Sequence, residues 1–588
     1  MHIAVIDHEP ALSAYLAEIL TTWGVRCCDL IDASAVNNLN PLDVPVVIVP
    51  AMKSGDGLAA SLAGYAQLGG TVICMKPDEP MAELAGLTCG PDRNGPMRLR
   101  LVAAPRVGPA GGLLVVVPPA RSYERQATET GVLAFLSPAD QYDGESVGVT
   151  RRQIGQGRII ALAFDLPRCL MLLRQGTPDR REVIPEGIAH RDACARASHL
   201  ALEIGGAESA WSPFADLLCD YLVALVRRHV TVPLPLLSHL PGEAPGIVLL
   251  SGDEDYAPVS DCDYQMGGIA DLSGRMNLYV IPEATQSTPQ DVSRYRLHHD
   301  VGVHPNLRPL DGRPAAERIA DFERQVRLFA ETFDMQAMSV RNHCFAWAGY
   351  LELIEAQQRC GVRMDTNFFS GAYARHRRPE PFFPFGSAMP MRFCRPDGRL
   401  IDVFQQHTHI CDDMSFCPDK EYSYKYTPDT WATIFERILD DMLGGGHFPL
   451  TFNFHPSNWR LYAEPCGHEV LRQAAGRGVP AWSIDQWCRF WTARDTWRIE
   501  NLTYRDGALT FSAAGSECHD QLRWLLPTAH NRMRLAGITV DGRSVPITSI
   551  SRYGESMALV APEEHRCQIQ AQYQTVPAGD PGRSMPRA

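Results

Sequence analysis

Five short apolar runs in the middle of this chain end in side chains that can bind a cation or move a proton. Ile247–Leu250 runs into Ser251-Gly252-Asp253-Glu254-Asp255-Tyr256, and Val301–Val303 into His304-Pro305-Asn306. Met338–Val340 runs into Arg341-Asn342-His343, Val362–Met364 into Asp365-Thr366-Asn367, and Leu450–Phe454 into His455-Pro456-Ser457-Asn458. Carboxylates and imidazoles ligate divalent cations and act as general bases and acids. One such terminus means little, because a lone histidine is often only a satisfied polar group and an acidic run is often a solvated turn. Five at the same end of successive strands form a pattern, since barrels built from strand–helix units collect their chemistry at the C-terminal strand ends.

The elements between these runs support that placement. Leu278–Ile281 and Ala481–Ile484 are two further candidate strands. A helix is expected where Ile319, Phe322, Val326, Phe329 and Phe333 recur at spacings of three and four. Another is expected from Thr427, as cap, and Pro428 at its first turn, to the stop at Gly444-Gly445-Gly446. Repeated strand and helix signals over 246–494 predict a distorted (β/α) barrel.

At the strand ends the sequence resembles the polysaccharide deacetylase (NodB-homology) superfamily. The segment Ser251-Gly252-Asp253-Glu254-Asp255 stands where that family carries a Thr-Phe-Asp-Asp-Gly-like strand end. His299-Asp300-Val301-Gly302-Val303-His304 matches its histidine motif, and Phe452-Asn453-Phe454-His455 its late histidine strand. The resemblance implies Asp255 and His304 as metal ligands, Asp253 as general base and His455 as general acid. The additional acid Glu254 competes for either carboxylate role. A second histidine is expected four residues after His304, but Arg308 stands there, and a guanidinium cannot ligate a metal. His343 is the candidate for the vacant ligand position. Arg341, Asp365, Glu254 and Asn458 are expected to orient substrate or ligands. Other possible ligands are His298, His299, His407 and His409, the last pair followed by Asp412 and Asp413. Trp347, Phe368, Phe369 and Trp459 are expected in the core, with sugar stacking as the alternative.

What the resemblance implies is hydrolysis of an acyl group, N-acetyl above all, from a sugar or polysaccharide with the help of a divalent metal, Zn²⁺ in the first instance. Two alternatives remain: a barrel that binds a glycan or partner without turnover, and a glycoside hydrolase using Asp253 and Asp365 as a carboxylate pair.

With 588 residues the chain exceeds one hydrophobic core. Residues 1–230 alternate strand and helix signals, including Ile3–Ile6, a helix over Pro10–Trp23, Val46–Val49, Thr71–Met75, Leu113–Val117, Ile159–Phe164 and a last helix capped by Ser212. They predict an open α/β sheet, loosely resembling class I glutamine amidotransferases or flavodoxins on the strength of Gly69-Gly70 before a strand and Gly155-Gln156-Gly157-Arg158-Ile159-Ile160. Cys74 lies inside a strand rather than on a strand-to-helix elbow, so no catalytic role is expected there. Residues 231–245 carry Pro233, Pro235, Pro241 and Pro245 and predict a stiff linker. Residues 495–574, with hairpin signals at Asp506-Gly507 and Asp541-Gly542, predict a small β-sandwich, and 575–588 a loose tail. A net charge of −13 with no Lys/Arg cluster argues against nucleic acid. The start of the sequence lacks signal-peptide features, no apolar run is long enough to cross a bilayer, and the scattered cysteines contain no Cys-x-x-Cys, so a cytoplasmic protein without membrane partners is expected.

Overall fold

The computed structural model describes residues 2–8, 12–102, 114–138, 146–184, 194–202, 204, 213–369 and 385–575. The expected helix start at Pro10, the strand start at Leu113, the Ser212 cap and the tail after Thr575 lie outside these residues.

The N-terminal sheet has nine strands and is mixed. Cys28–Ile31, Ile3–Ile6, Val46–Val49, Thr71–Met75 and Gly157–Leu162 lie side by side in parallel, the central three of them buried along their whole length. Four antiparallel strands extend it: Ser146–Ile154, Gly131–Pro138, Met97–Leu101 and Leu114–Val116. The sheet is therefore not the simple α/β alternation that the strand and helix signals predict. The added strands carry arginines and threonines that mask the apolar period, as in Ser146–Ile154. Cys74 is buried in its strand, and burial pushes its thiol up to about 12, so it is not a ready nucleophile.

The central sheet has ten strands. Its parallel body runs Leu400–Gln405, Met364–Asp365, Ser339–Val340, Asp300–Val303, Met276–Val280, Ile247–Asp253, Pro449–Asn453, Ile410–Cys411. Met391–Cys394 closes one edge antiparallel to Leu400–Gln405, and Ala481–Ser483 pairs with the start of Ile247–Asp253. Among the described residues the two edges do not pair, so the expected barrel is an open, curled half-barrel. Three of its strands, Met391–Cys394, Leu400–Gln405 and Ile410–Cys411, are absent from the set the sequence predicts. Ile410–Cys411 is two residues long and shows no period to detect.

Helices pack on the outside of this sheet as their apolar faces require. Ala315–Phe333 buries Phe322, Val326, Phe329 and Phe333. Pro428–Asp441 buries Trp431, Ile434, Phe435, Ile438 and Leu439, and its Thr427 hydroxyl accepts from the Thr430 N–H. Gly445, at φ 122°, turns the chain out of that helix.

Two antiparallel sheets follow. One holds Arg498–Arg505, Ala508–Ala514, Arg566–Thr575, Met533–Val540 and Ala529–His530, with Arg543–Val545 on Met533–Val540. The other holds Trp524–Pro527, Glu555–Val560 and Thr548–Arg552. Asp506-Gly507 and Asp541-Gly542 both take left-handed φ values, the requirement of a tight two-residue hairpin. The proline-rich stretch is packed in this region: Leu236–Leu237 is a buried strand against Trp524-Leu525. Among the described residues no helix is long and apolar enough to cross a membrane.

Candidate active site

The strand Ile247–Asp253 is buried along its whole length and delivers Asp253 to the C-terminal rim of the central sheet. The chain then turns sharply, with Asp255 and Tyr256 at φ 43° and 65°. Left-handed backbone is uncommon in residues other than glycine and marks a position held by its surroundings. The turn sends Asp255 toward the neighbouring strand ends and leaves Glu254 facing the other way.

Two histidines meet Asp255. His304, fully buried at the end of Asp300–Val303, places Nε2 3.1 Å from Asp255 Oδ1. Its Nδ1 lies 2.7 Å from the Arg341 carbonyl, an acceptor only, so Nδ1 donates there and Nε2 is the atom turned to Asp255. His343 follows Ser339–Val340 and places Nε2 3.6 Å from the same carboxylate oxygen. Its Nδ1 is 3.0 Å from Asn306 Oδ1, which likewise leaves Nε2 facing Asp255. Burial holds the His343 imidazole below its ordinary pKa, favouring the neutral ring. Asp255 is held well below the carboxylate range: burial opposes its ionisation, but the His304 hydrogen bond and the charge of His455 prevail.

Asp253 sits beside this trio, gripped from behind. Arg341 is fully buried and donates to Asp253 Oδ1 at 3.1 Å, to Ser251 Oγ at 2.8 Å and to Thr408 Oγ1 at 3.0 Å. Asn453 donates from Nδ2 to Asp253 Oδ2 at 2.8 Å. The guanidinium lies over the Tyr279 ring, 5.0 Å from its centroid.

The fifth group, His455, follows Pro449–Asn453. Its Nδ1 lies 2.6 Å from Asp412 Oδ1, while Nε2 lies 3.5 Å from Asp255 Oδ2 and 4.0 Å from Asp253 Oδ2. Burial alone would lower the imidazole's pKa, but the Asp412 carboxylate, by charge and hydrogen bond, raises it well above the ordinary value. Asp412 is itself held by the His455 backbone N–H at 2.7 Å and Asn458 Nδ2 at 3.3 Å.

The structure therefore brings Asp253, Asp255, His304, His343 and His455 together at one rim, with Arg341 and Asn458 behind them. Two expected orienting groups stand apart. Glu254 is buried, and its carboxylate accepts from Thr285 Oγ1 at 2.6 Å and Ser287 Oγ at 3.2 Å, away from Asp253. Asp365 is fully buried and accepts from Gln357 Nε2 and Asn367 Nδ2, each at 2.7 Å. Burial pushes Asp365 up to about 6. It offers no open carboxylate, which removes the Asp253–Asp365 pair of a glycosidase. Arg308, in the place of the expected histidine, pairs with Asp311 at 2.6 Å.

Of the other candidate histidines, His298 is exposed and the remaining three are buried in the fold. His299 bonds the Met266 carbonyl and the Met276 N–H, and His409 the Ser387 carbonyl and the Thr451 N–H. His407 is buried between Phe368 and Phe385. Trp347, Phe368, Phe369 and Trp459 are all buried in the core.

No protein-family model matches the sequence, and no curated protein matches it. Among solved structures, the fold is similar to Agd3, a carbohydrate deacetylase, over 98% of this chain and 99% of that one, at 9% identity and a TM-score of 0.41. A putative polysaccharide deacetylase from Mycobacterium smegmatis covers 45% of this chain and 96% of its own, at 13% identity and a TM-score of 0.33. The peptidoglycan deacetylase PdaC from Bacillus subtilis, in a mutant form, covers 43% and 94%, at 12% identity and a TM-score of 0.25.

Asp412 and Asn453 are absent from the set the sequence expects to act. The signal for Asp412 is its place beside His407-Thr408-His409, in a stretch that resembles a loop. Asn453 reads as an interior strand residue. Cys411, Asp412 and His455 also place ligand atoms within 4.8 Å of one another. Burial pushes the Cys411 thiol well above its ordinary range, and the short His455–Asp412 contact is that of a charge-assisted hydrogen bond. These features suit a dyad better than a cation site.

Proposed function

We propose that the rim hydrolyses an acyl group, N-acetyl in the first instance, from a carbohydrate, with a divalent cation held by Asp255, His304 and His343. One observation carries this reading: two imidazoles, both with Nδ1 engaged elsewhere, turn their Nε2 atoms onto one oxygen of Asp255. One carboxylate and two neutral imidazoles form a donor set suited to Zn²⁺, with room for a further ligand. A cation bound there supplies Lewis acidity, lowering the pKa of water and polarising an acyl carbonyl.

The remaining steps belong to the chain. Asp253 is acceptor-only when ionised and is aimed by Arg341 and Asn453, so it takes a proton from attacking water. His455, kept protonated by Asp412, donates from Nε2 to the leaving amine or alkoxide. Its positive charge, with that of Arg341, favours the oxyanion of a tetrahedral intermediate. Asp253 Oδ2 and His455 Nε2 are 4.0 Å apart, so base and acid both reach one reacting centre. The sugar substrate follows from the motif-level likeness at His299–His304 and Phe452–His455.

The test is acetate release from N-acetylated chito-oligosaccharides and O-acetylated xylo-oligosaccharides by chelator-treated protein, before and after addition of Zn²⁺. The reading requires release that depends on the added metal and disappears in Asp253→Asn. Release unaffected by the chelator, or no release from either substrate by the metal-loaded protein, contradicts it.

A further inference from the structure

At the opposite end of the central sheet a groove of about 870 Å³ runs between the N-terminal strand ends and the C-terminal β-region. Trp482 forms its aromatic wall. This residue pairs with Leu249, which precedes Asp253 by four positions on one strand, about 13 Å along it. Arg275 lines the groove just before Met276–Val280, so the groove lies at the rim away from the histidines.

Trp482 is half-buried and braced on one side by Phe490 and His519, whose ring centroids lie 6.2 and 6.1 Å away. The groove is also lined by both donors and acceptors: the Arg275 and Arg489 guanidiniums, the Gln486 and Gln521 amides and the Glu243 carboxylate.

The charges argue against an anion. Arg275 and Arg489 each hold one oxygen of Asp300, at 2.8 and 3.0 Å. Arg477, at the groove's edge, is paired with Glu436 at 3.1 Å and with Asp440. Burial lowers the pKa of His519, favouring the neutral ring, and Glu243 and Asp520 add negative charge. A guanidinium whose charge is met from behind still offers N–H groups to neutral acceptors.

A braced aromatic face ringed by mixed donors and acceptors, without net positive charge, fits a pyranose: its axial C–H face packs on an aromatic ring and its hydroxyls need both hydrogen-bond partners. We propose that this groove binds a neutral glycan chain, separately from the hydrolytic rim. It anchors a polymer at the end of the sheet away from Asp253 without presenting that same sugar to it.

The test is native electrophoresis of the full-length chain through gels containing glycol chitin, hydroxyethyl cellulose, dextran or heparin. The chain carries Asp253→Asn so that no polymer is consumed, and binding is read without turnover, independently of whether the rim is hydrolytic. At least one neutral polymer should retard the protein. Trp482→Ala should weaken that retardation about tenfold in apparent Kd, and Glu243→Ala, on the exposed lip, should weaken it less while leaving Tm unchanged. Equal retardation of both variants and their parent overturns the proposal. So does retardation by heparin alone, or by no polymer.

Discussion

His455 Nδ1 lies 2.6 Å from Asp412 Oδ1, and this contact leaves Nε2 as the imidazole's working atom, facing Asp253 and Asp255. The arrangement sets both the orientation of the ring and its protonation. Asp412→Asn preserves the shape of the contact but removes the charge that raises His455. The basic limb of the pH–rate profile, where the acid is lost, should move to lower pH, and turnover at neutral pH should fall roughly 10²-fold. A pH–rate profile of kcat for both proteins checks this. An unmoved basic limb separates His455 from the acid role.

Asp253 and Glu254 are adjacent but differently placed, and substitution should distinguish them. Asp253→Asn should lower kcat by roughly 10²–10⁴-fold, the range for loss of a general base, with metal affinity retained. Glu254→Gln should change kcat by less than about threefold, because its hydrogen bonds go to Thr285 and Ser287 rather than into the site. Initial rates with isothermal titration of Zn²⁺ measure both effects.

Arg341 is fully buried beneath Asp253. Arg341→Met should leave a buried carboxylate without its partner, costing about 3–5 kcal/mol of stability. Chemical denaturation of the parent and the variant provides the measurement.

Outside the site, Asp220 gives a separate check on the fold. It is half-buried, accepts from Trp23 Nε1 at 2.5 Å, and desolvation pushes its carboxyl up to about 7. A raised folded-state pKa contributes stability fully below the unfolded value of about 3.9, and this is lost as pH rises through about 7. Asp220→Asn should therefore stabilise the protein at pH 8, by on the order of 1–3 kcal/mol, and have little effect at pH 4. Thermal melts at both pH values test the sign.

Strand ends of the central sheet are legible because an apolar run followed by Asp or His is a local pattern. This is enough to bring Asp253, Asp255, His304, His343 and His455 forward from distant parts of the chain. Their partners are less legible. Asp412 follows a two-residue strand, and its contact with His455 depends on the pairing of Ile410–Cys411 with Pro449–Asn453, which no local period encodes. Glu254 and Asp365 share the expected composition but not the direction. Backbone turning at Asp255 sends Glu254 aside, and Gln357 reaches in from a helix to occupy Asp365. The antiparallel half of the N-terminal sheet is hidden for a related reason, its strands carrying charged residues within the paired run.

The account stands most directly on where a cation binds. Anomalous diffraction at the zinc edge from crystals soaked in Zn²⁺ should show a peak within about 2.0–2.2 Å of Asp255, His304 Nε2 and His343 Nε2. A peak at Cys411, Asp412 and His455 instead, or none at this rim, would contradict it.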